Sequence, residues 1–318
     1  MDIVLLLIFG LAGLVIGGDL LVRGAVDLAR RIGLSPLVIG LTLVGFGTST
    51  PELVTSLQAA FAGSPGIAVG NVVGSNIANI LLILGLAAVL APVVVERNAF
   101  RRDGAVLALS ALMCLVAVQY DSLSPTVGMV FITALIAYVA VTIIRERRSV
   151  AAEASIAIAQ PKGLAEGSVW KDLVFVVGGL GLTILGARFL VTGAISIASS
   201  FGVSEAVIGL TIVAVGTSLP ELVTTIAAAR QGQSDIAFGN IVGSNIFNVL
   251  FIMGATALIK PIEVPASIAS FDIWIMIGAT ALLLLFAVTR WRISRIEGAL
   301  LLLAYVAYTA WLGLGAAS

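Results

Sequence analysis

There is no histidine anywhere in the 318 residues, and Cys114 is the only cysteine. Those two absences remove intramolecular disulfides, thiolate or imidazole zinc sites, and every catalytic arrangement that needs a histidine base. Charge is scarce as well: Asp, Glu, Lys and Arg make up 11% of residues, where a soluble domain carries about 25%. The 17 basic and 17 acidic side chains cancel, so bulk electrostatics gives no reason to expect a nucleic-acid partner. What fills the chain instead is apolar. At 60% hydrophobic residues and a mean hydropathy of +1.16, this is the composition of a polytopic protein whose surroundings are the lipid bilayer. The N-terminal run DIVLLLIFGLAGLVIGG lacks a basic lead-in and a small-residue cleavage pattern, and reads as a retained first span.

Segments long enough to cross a bilayer fall near residues 3–28, 36–62, 66–90, 103–120, 123–144, 170–198, 206–230, 235–259, 270–289 and 296–315. The one sizeable polar interruption, RERRSVAAEASIAIAQPKGLAEGSVWKD, separates five spans from five. The chain therefore divides into a first five-helix unit over 1–144, a short mobile cytoplasmic connector over 145–169, and a second five-helix unit over 170–318. Cytoplasmic loops are enriched in Lys and Arg. With both termini outside, the cytoplasmic loops and span ends collect Arg30, Arg31, Arg97, Arg101, Arg102, Arg145, Arg147, Arg148, Lys162, Lys171, Arg230, Arg290, Arg292 and Arg295. Only Lys260, Arg23 and Arg188 remain.

The second half repeats the first. A shift of 169 positions aligns GLTLVGFGTSTPELVTS with GLTIVAVGTSLPELVTT, and GNVVGSNIANILLILG with GNIVGSNIFNVLFIMG, without a gap. Five spans per half is an odd number, so the copies must sit upside down relative to each other. The predicted fold class is an all-α integral membrane protein of ten transmembrane helices, built as two inverted-topology repeats with broken helices at an ion site.

Each GTSxPE motif puts Pro and Glu inside a membrane span, where a carboxylate costs at least about 2.5 kcal/mol. The proline removes an amide donor, freeing carbonyls that can face a cation. Thr48 with Glu52, and Thr217 with Glu221, are four apart and share a helix face; Ser49 and Ser218 lie about 100° further round. The second pair of motifs adds Ser75 and Asn79, and Ser244 and Asn248, from the adjoining span. Carboxylates, hydroxyls, amide oxygens and carbonyls together make an all-oxygen cage for a hard cation such as calcium or sodium. Two facing glutamates repel unless cations lie between them; one divalent ion or several monovalent ions neutralise them. A site that accepts either load and is unfavourable empty is what an exchanger requires.

Plainer readings exist for each element. A lone Pro-Glu is a kink with a snorkelling carboxylate, but two copies at equivalent depth with matching hydroxyls argue against that. The spacing of Gly70 with Gly74, and of Gly239 with Gly243, suits close helix packing. Asn79 and Asn248 could equally be interhelical hydrogen-bond glue. Asp19 aligns with Arg188 rather than with an acid, and reads as structural or interfacial.

GTSTPE with GNVVGSNIAN, and GTSLPE with GNIVGSNIFN, resemble the two alpha-repeats of the calcium/cation antiporter superfamily, in its sodium/calcium exchanger branch and bacterial or archaeal relatives. The resemblance implies ten transmembrane helices with ions bound between the second, third, seventh and eighth. It implies calcium between Glu52 and Glu221 with Thr48 and Thr217, and sodium at the same glutamates with Ser49, Ser218, Ser75, Ser244 and the carbonyls of Gly45 and Ala214. Both Asn79 and Asn248 are amides where some relatives carry an aspartate, which leaves no third carboxylate for potassium cotransport.

The expected function is sodium/calcium antiport in the plasma membrane of a prokaryote. The alternatives are calcium/proton antiport, a passive cation channel and, from the enzymes, an intramembrane protease. The proton-coupled branch typically has GNxxE where this chain has GTSxPE, channels more often use rings from several subunits, and the protease reading lacks both a histidine and a GxGD context. No enzyme activity, resident cofactor, nucleic acid or obligate protein partner is implied. Calcium and sodium are cargo.

Overall fold

The computed structural model describes residues 3–32, 36–61, 63, 65–119, 122–156, 168–200 and 214–315. Of the connector, residues 157–167 lie outside the described residues, as do 201–205 and the first part, 206–213, of the expected span 206–230. Among the described residues, the regular structure is helical except for four two-residue strands. The first half runs α1 (Ile3–Ile32), α2 (Pro36–Ile39), α3 (Gly45–Thr48), α4 (Thr50–Phe61), α5 (Pro65–Ala78), α6 (Gly85–Leu90), β1 (Val93–Val94), α7 (Arg97–Val118), β2 (Ser122–Leu123) and α8 (Pro125–Ile156). The second runs α9 (Val169–Ser200), α10 (Ala214–Thr217), α11 (Leu219–Arg230), α12 (Ser234–Phe247), α13 (Gly254–Ile259), β3 (Ile262–Glu263), α14 (Ile273–Arg290), β4 (Arg292–Ile293) and α15 (Arg295–Gly315). Helix α8 continues to Ile156, so the first part of the expected connector extends a helix.

Seven helices among the described residues are long and apolar enough to cross a membrane. The expected span 36–62 is not among them because it is broken at Ser49, whose φ and ψ of −82° and 6° leave the helical region. Ser218 breaks the second copy in the same way, at −88° and 7°. Pro51 and Pro220 then sit in the first turn of α4 and α11, the place where a missing amide is harmless. Further distortions lie beside the second motifs: π-helical turns span Asn79–Leu84 and Asn248–Met253, joining α5 to α6 and α12 to α13. Such turns insert one residue into the ladder and are frequent at functional sites. The turns after α4 and α11 use Gly63 and Gly232 at φ of 74° and 71°, a conformation glycine adopts without strain.

Burial separates centre from rim. Of the most apolar stretches of Pro65–Leu90 and Ser234–Ile259, 78% and 83% are buried, against 11% for Arg295–Leu312. The two central helices therefore carry the core, and the outer ones face out with Leu303, Val306, Val116 and Ile136. The strands pair across the repeats, β1 with β4 and β2 with β3, both antiparallel. Flanking the core, α1 and α9 pack along their length and run antiparallel: Gly13 faces Gly186, Gly17 faces Gly179 and Thr183, and Gly24 faces Asp172 and Val176. A Cβ on Gly17 would stand 2.6 Å from the Thr183 amide nitrogen, so the approach is set by backbone against backbone. At one end of this pair the Arg31 guanidinium meets the buried Asp172 carboxylate at 2.7 Å.

Candidate ion site

The broken helices bring the two GTSxPE motifs face to face in the middle of the core. Glu52 and Glu221 are each 1% exposed, although each begins a helix. Each carboxylate is held by the other repeat's hinge serine. Ser49 Oγ donates to Glu221 Oε1 at 2.9 Å, and Ser218 Oγ donates to Glu52 Oε1 at 3.0 Å. Ser218 also reaches Ser75 Oγ at 3.4 Å. The hydrogen bonds are reciprocal because the serine is the residue that leaves the helix, which swings its hydroxyl across to the facing motif.

Backbone supports match too. Asn71 Nδ2 donates to the Glu52 carbonyl at 3.0 Å and to Ser56 Oγ at 2.9 Å. Its counterpart Asn240 donates to the Glu221 carbonyl at 3.3 Å and to Thr225 Oγ1 at 2.9 Å. Asn240 Oδ1 further accepts from Thr48, at 3.3 Å. Asn71 and Asn240 stand in the quoted GN motifs, but sequence reasoning passed over them. The signal that could have found them is their recurrence at the 169-residue shift beside the chosen serines.

The oxygens left over are the informative ones. Glu52 Oε2, Glu221 Oε2, Ser244 Oγ, Asn79 Oδ1 and Asn248 Oδ1 are all buried without a hydrogen-bond partner. Buried polar atoms are ordinarily paired, and an orphaned carboxylate oxygen is costly. Five of them in one motif cluster form a donor set that fits a hard cation through oxygen alone. No group of three or more Asp, Glu, Cys or His side chains converges among the described residues, so the two glutamates are the charged members.

The other expected ligands are placed less uniformly. Thr48 is fully buried, its hydroxyl bonded to the Val44 and Gly45 carbonyls at 3.1 and 3.4 Å. The Gly45 carbonyl also takes the Ser49 amide at 3.2 Å, so here it is engaged rather than freed. Thr217 lies in the wall of an adjoining cavity, and Ala214 opens α10. Asn248 Nδ2 donates to Asn76 Oδ1 at 3.0 Å, tying the two central helices together, so this amide is glue at one end and free acceptor at the other.

A family model described as "Sodium/calcium exchanger protein" matches residues 3–144 and 171–314. The chain belongs to the sodium/calcium exchanger family. Relatives include the putative antiporter CaxA of Alkalimonas amylolytica, 38% identical over 95% of this chain and 96% of that protein. The sodium/calcium exchanger MaX1 of Methanosarcina acetivorans is 37% identical over 96% of each chain. Among solved structures, the sodium-calcium exchanger NCX_Mj soaked with sodium and calcium superposes with a TM-score of 0.84 at 33% identity, covering 97% of both chains. The chain is thus a transport protein of the cation and calcium antiporter type.

Within this exchanger fold, two further acids, one buried and one half-buried, lie outside the site. Asp103 on α7, 1% exposed, accepts from Arg102 at 2.6 and 2.8 Å and from Tyr138 of α8 at 3.2 Å. Asp272, which leads into α14 and matches Asp103 at the 169-residue shift, accepts from Tyr308 of α15 at 2.8 Å. These repeat-related pairs staple outer helices together, and the alignment of the central motifs alone did not single them out.

Proposed function

We propose that this chain exchanges sodium for calcium by alternating access, with calcium export across a prokaryotic plasma membrane as its working direction. The reading takes the described helices as parts of ten spans in two inverted repeats, adding 36–61, 97–118 and the partly described seventh span to the seven apolar ones. Both termini face outside, and 145–169 connects the repeats on the cytoplasmic side. The observation that carries it is the pair of reciprocal serine–glutamate bonds, together with unpartnered buried oxygens on the same two carboxylates and on Ser244, Asn79 and Asn248. Glu52 and Glu221 hold calcium with Thr48 and Thr217. Sodium uses the same carboxylates with Ser49, Ser218, Ser75 and Ser244, and with Asn79 and Asn248 as neutral acceptors. The Gly45 carbonyl would join by releasing one of its present donors, and Ala214 would take the equivalent role.

Charge sets the coupling. Two carboxylates are cancelled by one calcium, whereas a third sodium leaves the loaded site at plus one. Exchange then moves one charge per cycle, worth about 2.3 kcal/mol per 100 mV. Purified protein in sodium-loaded proteoliposomes should take up calcium on addition of calcium outside, and faster with the interior made positive. Uptake that follows a pH gradient with sodium absent from both sides would instead establish proton coupling.

A further inference from the structure

Next to the glutamate pair a cavity of about 500 Å³ runs between α4, α9 and α10. Its wall carries Thr55, Gln58, Ala187, Arg188, Gly216 and Thr217. Thr217 and Pro51, both in that wall, are the chain neighbours of Ser218 and Glu52, which are bonded to each other, so the cavity lies beside the ion site. Among the described residues, Arg188 is the only ionisable one in its lining, is exposed, and forms no ion pair.

The internal repeat supplies the control. Shifted by 169, the positions equivalent to Ala187, Arg188, Gly216 and Thr217 are Gly18, Asp19, Gly47 and Thr48. That second passage is shut. A Cβ on Gly18 would stand 2.7 Å from Val223 Cγ1, and one on Gly47 2.8 Å from Leu180 Cδ2. Thr48 and Thr224 are fully buried, whereas Thr217 and Thr55 are not. At its mouth stands a carboxylate: Asp19 bonds Arg23 at 2.9 Å and accepts from Gln231 at 2.9 Å. One repeat thus places an acid, and the other a guanidinium, at the same point of two equivalent routes.

We propose that Arg188 is a specificity-determining residue that disfavours divalent cations at the open passage. This rests on the exchange reading above. A positive charge on the wall of the route raises the potential along it, and the resulting work scales with the ion's charge. Whatever factor Arg188 takes from sodium occupancy, it takes the square of that factor from calcium. On the outer face of an exporter this favours sodium binding and calcium departure.

The test uses the full chain in right-side-out and inside-out membrane vesicles, with R188Q and R188K. For R188Q at low ionic strength, half-saturation by calcium on the outer face should fall about tenfold, and by sodium about threefold, its square root. R188K should behave as the unaltered chain, which also controls for folding. Salt at about 1 M choline chloride, where the screening length is roughly 3 Å, should shrink the R188Q effect several-fold. Equal shifts for both ions, the same shift on the inner face, or an R188K variant that resembles R188Q would each overturn the proposal. Absence of sodium-dependent calcium flux in the unaltered chain would instead bring down the exchange reading, and the proposal with it.

Discussion

The serine–glutamate pairs match between the two repeats; the spaces beside them do not. Ser49 and Ser218 bond the opposite carboxylates at 2.9 and 3.0 Å, and Asn71 and Asn240 brace equivalent carbonyls. A few ångströms away, Val223 fills the space over Gly18, while the equivalent space beside Ala187 is an open cavity. Binding is built symmetrically and access is not. Because both passages are made of related residues, exchanging their conformations would close the open one and open the closed one, while leaving the serine–glutamate pairs intact. In the exchange reading proposed above, inverted repeats supply that pair of alternatives.

Breaking the symmetric half should have the largest effect. Glu52→Gln and Glu221→Gln should each lower calcium exchange by about 100-fold or more, since even neighbours of a metal ligand cost 10–100-fold. Both should remain folded by size-exclusion chromatography. Near-normal flux in either one, with the other inactive, would show that the site is lopsided.

Next come Gly17→Ala and Gly186→Ala, repeat-equivalent positions where a Cβ would meet backbone at 2.6 Å in both cases. Each should cost about 1–3 kcal/mol, seen as a lower melting temperature, because neither backbone can yield without separating α1 from α9. A large loss at one and none at the other would mean that the pair is held together at one end only.

Ser49→Ala and Ser218→Ala should each raise the sodium requirement about tenfold, the worth of a hydrogen bond to a charged group, and shift calcium less. Equal loss of sodium and calcium affinity would remove the assignment of the serines to sodium.

The smallest effect sharpens the asymmetric half. In a Cys114→Ala background, Thr55→Cys should react with a water-soluble thiol reagent and Thr224→Cys should not, matching their present burial. Adding Gly18→Ala pushes on Val223 and should raise the Thr224→Cys rate about fivefold, a population shift of roughly 1 kcal/mol. Unchanged labelling would mean that Val223 rotates aside without opening the passage.

Much of the site was legible because a duplicated motif offers its own control. Glu52 and Glu221 stand out as carboxylates where apolar side chains belong, and the 169-residue shift ties each to a serine, a threonine and an asparagine. Proline in GTSxPE located the breaks to within two residues, since it is at home in a first helical turn and disrupts a helix interior. The π turns at Asn79 and Asn248 had no such marker. Their sequences are ordinary apolar helix, and the extra residue per turn is settled by packing in the core. Asp103 and Asp272 were visible as acids, but their tyrosine partners lie on the next helix, and no local pattern links them.

Composition, hydropathy and the repeat were enough to specify a membrane-embedded chain, two related halves and an oxygen-rich candidate site with two carboxyl groups. These follow from the sequence because they depend on residue type and on spacing along one helix. Which serine meets which glutamate, that the Gly45 carbonyl is occupied, and that one passage is open while its twin is filled were decided only by the tertiary structure. Those facts depend on how far apart two helices lie. A difference as small as Ala187 against Gly18, one methyl group on otherwise equivalent backbones, acts through the close approach of side chains that no one-dimensional pattern encodes.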